Sequence, residues 1–60
     1  MKSPRYQIVL THRDGSRSVL IHNDKTQWAI RAARMHQSDM VAKLVAGYFP
    51  HIALVALEAV

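Results

Sequence analysis

The side chains best suited to chemistry in this sequence are its four histidines, His12, His22, His36 and His51. Imidazole binds transition metals and moves protons near neutral pH, but either task needs partners. No cysteine is present to supply a thiolate, and no two histidines stand four residues apart, the spacing that would place them on one helix face. The acids Asp14, Asp24, Asp39 and Glu58 are spread singly along the chain, so no carboxylate pair is at hand for acid–base work. No nucleophile motif accompanies them. These absences argue against catalysis and against a bound metal or cofactor. His36 falls on the apolar side of a helical stretch and reads as a partly buried core histidine.

The cations say more. Eight Lys and Arg against four Asp and Glu give a formal charge of +4 and a pI near 10.2. Such a balance draws acidic partners, nucleic-acid phosphates above all. Arg31 and Arg34, with Lys25 ahead of them, are spaced to follow a phosphate backbone, and Arg13 with Arg17 sits at a hairpin tip that suits a groove. Trp28 and Tyr48 are of the type that stacks on bases, although both fall at core spacing. No helix-turn-helix, zinc-finger or RNP signature is present. A nucleic-acid reading thus rests on charge alone and stands as the alternative.

These residues must be positioned by a small set of elements. Tyr6 to Ile21 holds two runs of β-branched and aromatic residues around Asp14 and Gly15, a pair suited to a two-residue type I′ hairpin loop. Pairing outward from that loop sets Leu10 opposite Val19, Ile8 opposite Ile21 and Tyr6 opposite Asn23 on one face. The other face then carries Thr11 with Ser18, Val9 with Leu20, and Gln7 with His22.

The run from His22 to Gln27 reads as a helix start, with Asp24 as cap and Gln27 three residues later. Trp28, Ala29, Ala32, Ala33 and Met35 form an apolar stripe opposite Arg31 and Arg34. A second stripe, Met40, Val41, Leu44, Val45 and Tyr48, points roughly 130° away from the first when extrapolated from Trp28. That mismatch predicts a bend or restart between His36 and Asp39, with Ser38 as a new cap. Gly47, followed by Pro50, marks the stop. The closing HIALVALEAV is apolar on both alternating sets and predicts a strand, with a terminal helix as its rival.

The expected fold is α+β in a single domain over residues 1–60, with residues 1–4 as a flexible lead. A three-stranded sheet is built from the hairpin and a C-terminal strand, and one bent helix or a helix pair covers one face. Trp28, Met35, Leu44 and Tyr48 would line the helical side of the core. The uncovered face would carry Val9 and Leu20, joined by Val55 and Leu57 or by the alternate set, with Arg17 at the rim. An apolar patch on so small a chain suggests a protein partner or a homodimer, and the free sheet edge offers strand addition as a second mode. The sequence therefore points to a non-catalytic protein-interaction or regulatory module. No apolar stretch approaches the ~20 residues that cross a bilayer, so a cytoplasmic protein without membrane contact is expected.

Overall fold

The computed structural model describes residues 4–60; the lead expected at residues 1–4 lies, apart from Pro4, outside the described residues. The chain forms β1 (Tyr6–His12), β2 (Arg17–Val19), α1 (Ile30–Val45) and β3 (Ile52–Ala59). The fold is α+β. The strands make one antiparallel sheet in the order β2-β1-β3, and α1 packs against β1 and β3. The C-terminal run is a strand, as its alternating apolar sets predict.

The hairpin loop is one residue longer than expected. The His12 N–H donates to the Ser16 carbonyl (2.8 Å) and the Gly15 N–H to the His12 carbonyl (3.0 Å). The loop is thus Arg13, Asp14 and Gly15, and only Gly15 lies at positive φ, +93°. That is the three-residue alternative, a turn closed by one left-handed residue. Asp14 accounts for the choice: its Oδ1 accepts the Ser16 N–H (2.9 Å) and the Ser16 hydroxyl (2.6 Å), a local bond that holds Asp14 out of the left-handed region. Consequently Val9 faces Val19 and Leu10 faces Ser18, which corrects the pairing of Leu10 with Val19. A one-residue shift turns a whole strand over. Leu20 therefore packs inward, while Val19 and Ile21 are exposed.

What reads as a helix start is a second tight turn. His22 and Lys25 exchange both backbone bonds (2.9 and 3.0 Å), and Asn23 and Asp24 lie at φ +50° and +62°. This is the two-residue loop with both φ positive. The chain then runs extended, with Trp28 and Tyr6 exchanging N–H···O bonds of 2.8 and 2.9 Å. The helix begins only after Ala29 and has no side-chain cap. Trp28 is therefore a residue flanking β1, and counting helical phase from it was the source of the predicted bend. Without it the inner stripe of Ala33, Gln37, Met40 and Leu44 is continuous, and α1 runs unbroken through His36–Asp39. Met35 and Tyr48 are displaced from the core by the same correction, at 66% and 72% exposed.

The buried centre is Ile8, Trp28, Ala33, Ile52 and Val55, ringed by Tyr6, Leu10, Leu20, Met40, Leu44, Phe49 and Leu57. Pairing of β1 with β3 shifts between Thr11, which faces Leu54, and His12, which faces Ile52. The extra residue, Ala53, is a bulge that lets Ile52 and Val55 both turn toward α1. Among the described residues, Ile8 is the one large side chain that is completely buried. A core this small leaves little margin over the entropy of ordering the chain.

Candidate interaction surface

The residues expected to share the open face divide between two faces. Alternation along β1 turns Tyr6, Ile8 and Leu10 toward α1 and Gln7, Val9 and Thr11 away from it. The cross-strand pairs carry Leu20, Val55 and Leu57 to the helix side. Val55 is core, at 4% exposed. Val9 and Arg17 lie on the open face, yet Val9 is also 4% exposed. It is shielded without a helix: Arg17 and Glu58, from the two flanking strands, form an ion pair and, with Gln7 and Val19, surround it. By the same alternation Val19, Ile21, Leu54 and Val60 remain exposed on that face. The Arg17–Glu58 pair sets charge at its centre.

The two sheet edges differ more. On one side β2 is only three residues long and carries Arg17 and Ser18; short, polar edges resist further pairing. On the other side β3 runs for eight residues, IALVALEA, with Glu58 as its one charge. The Val60 N–H donates to the Arg5 carbonyl (2.9 Å), so Val60, Glu58, Ala56 and Leu54 turn their backbone groups toward β1. By alternation, Val55, Leu57 and Ala59 turn theirs away. One of these outward groups is met, since Gln37 Nε2 donates to the Val55 carbonyl (3.3 Å). The others have no partner among the described residues.

That Gln37 contact also orients the helix. Counting 100° per residue from Gln37, Ala33, Met40 and His36 fall on the side of β1 and Trp28, while Ile30, Val41, Arg34 and Val45 fall on the side of the free edge. Val45 is 82% exposed and Val41 is partly so. A helix flank that is apolar but for Arg34 thus runs along the free strand edge, with Val41 and Val45 toward its Ile52 end.

The charged residues are distributed unevenly. Of the acids, Glu58 is bound to Arg17 and Asp39 to Lys43 (3.1 Å). Arg5, Lys25, Arg31 and Arg34 have no carboxylate within ion-pair distance among the described residues, and Arg13 donates from Nε to the Pro50 carbonyl (2.8 Å). Arg5 and Lys25 line one concavity with Trp28, Ala29 and Ala32 at the start of α1. Arg13 and Arg17 lie at the far hairpin, so the five cations singled out in the sequence do not form one patch. Trp28 is buried and offers no free ring face, whereas Tyr48 is exposed.

The histidines sort in a way the sequence did not show. His36 is half-buried, with its ring 4.9 Å from Trp28 and 5.0 Å from His22, because the second turn folds His22 back over the helix. His12 shares a 2.8 Å hydrogen bond with Ser18. Among the described residues no three potential metal ligands converge, and no helix is long and apolar enough to cross a membrane. The Ser16 hydroxyl, then the Ser16 N–H, holds the Asp14 carboxyl below its ordinary value.

The chain matches no protein-family model, no curated protein and no solved structure, which leaves its surface chemistry as the guide to function.

Proposed function

We propose that this chain is a non-catalytic protein-interaction module that docks through the free edge of β3 and the adjoining flank of α1. One observation carries the reading: Leu57 and Ala59 turn backbone groups outward without a partner among the described residues, on an eight-residue edge strand that carries a single charge. Strand addition supplies affinity through main-chain bonds, and neighbouring apolar side chains supply selectivity. The shielding of Val9 by Arg17 and Glu58 favours this edge over the open sheet face that the sequence suggested. A photo-crosslinking residue at Val41 should capture partners in cells, while the same residue at Ser18, on the opposite edge, should not. Equal capture from both positions would refute edge docking.

A second reading, binding of nucleic acid, is favoured by Arg31 and Arg34, which are exposed and outside any ion pair on the first half of α1. Replacing both by Ala should then weaken binding alike across sequences and reduce its salt dependence by roughly one phosphate contact per arginine. Unchanged affinity for a short duplex would remove α1 from that role.

A further inference from the structure

We propose that the occupant of the β3 edge is a second copy of this chain, joined by antiparallel β3–β3 pairing about a two-fold axis into a six-stranded sheet with both helices on one face. This rests on the edge-docking reading above and names its partner.

Three observations favour a second copy over an unrelated strand. The edge is self-complementary. A two-fold interface sets the same patch against itself, and the outward residues Leu57 and Ala59 have both a donor and an acceptor to exchange, while the Val55 carbonyl is held by Gln37. They fall in the regular part of β3, beyond the bulge at Ala53, and pairing centred there sets no Glu58 opposite its counterpart.

The second observation is spacing. α1 packs on β1 and β3 and makes no contact with β2, so its axis lies toward the free edge. With strands about 4.8 Å apart, two helices that each straddle β1 and β3 come to lie two strand spacings apart, roughly 10 Å. That is the distance at which packed helices touch, about 8–10 Å. A helix centred on the sheet would have left a gap.

The third is area. A stable interface buries roughly 800 Å² per partner, about a sixth of the 4584 Å² this chain exposes. A strand edge alone is too narrow to supply that. The side of α1 that faces the free edge, bearing Ile30, Arg34, Val41 and Val45, supplies the remainder. Leu57, half-buried in one copy, then meets the second copy beneath the paired helices.

The test is sedimentation equilibrium of the full chain at tens to hundreds of micromolar. A dimer mass is expected. Methylating the backbone nitrogen of Leu57 in a synthetic chain removes an outward donor and leaves the side chain in the core; it should return the mass to that of a monomer. Val41→Lys should weaken the dimer at least tenfold, with the amide spectrum of the monomer unchanged. A monomer at all concentrations overturns self-pairing, and so does a dimer indifferent to Leu57 methylation. Failure of the broader reading is separable: a purified chain that stays monomeric but is crosslinked in cells from Val41 and not from Ser18 keeps edge docking with another partner. No crosslinking from Val41 in a monomeric chain would remove both.

Discussion

At Asp14 a single carboxylate decides where a strand points. Its oxygen takes two bonds from Ser16, which fixes a three-residue loop and, through the period of two along β2, sends Leu20 inward and Val19 out. Because folding lowers the Asp14 pKa, the stabilisation is fully present above the ordinary carboxylate value of about 3.9 and is lost as pH falls through the lower folded value. The Ser16 amide resonance should therefore titrate below pH 4, ahead of global unfolding; an invariant Ser16 signal would mean the loop does not depend on this bond. Gly15 makes the complementary point. A Cβ there would meet no atom within 4 Å, so Gly15→Ala tests torsion alone, and the +93° φ should cost about 1 kcal/mol in urea unfolding.

Elements were legible where residue type and periodicity agreed, and hidden where two turn chemistries competed. β1, β3 and the helix stop at Gly47 follow from the sequence pattern. The misplaced helix start comes from Asn23 and Asp24. Both cap helices well, yet both also tolerate positive φ, and nothing in the local pattern ranks the two uses. What settled it was tertiary: Trp28 gains burial and two backbone bonds by lying along Tyr6, which holds it out of the helix. Leu20 left the open face for a related reason, since its side of the sheet depends on loop register rather than on its own type. The second turn gives a clean prediction. Asp24→Gly relieves a left-handed residue and should raise stability by about 0.5–1 kcal/mol, whereas Asp24→Val should lower it by about 1–2 kcal/mol. Two-state urea midpoints would resolve both, and a neutral Asp24→Val would refute the turn.

For the whole molecule the question is how so small a core and so much positive charge coexist. A 60-residue domain holds roughly 3–9 kcal/mol of stability, and Ile8→Ala removes about 2–5 kcal/mol of it, so that variant should unfold at a much lower urea concentration as an isolated monomer. Pairing through β3 would offset part of the loss, making the stability of the Ile8→Ala chain rise with its concentration. Charge then separates the two functional readings by the sign of one response. Two copies at +4 each repel, and the proposed interface places no ion pair across the axis, so added salt screens the repulsion and should tighten the dimer. Binding to phosphates works through counterion release, and the same salt weakens it. Between 50 and 200 mM NaCl the dimer dissociation constant should fall while affinity for a duplex falls as well. A dimer that loosened with salt would be held by charge rather than by β3, and the Arg17–Glu58 pair would be the first place to look for its partner contacts.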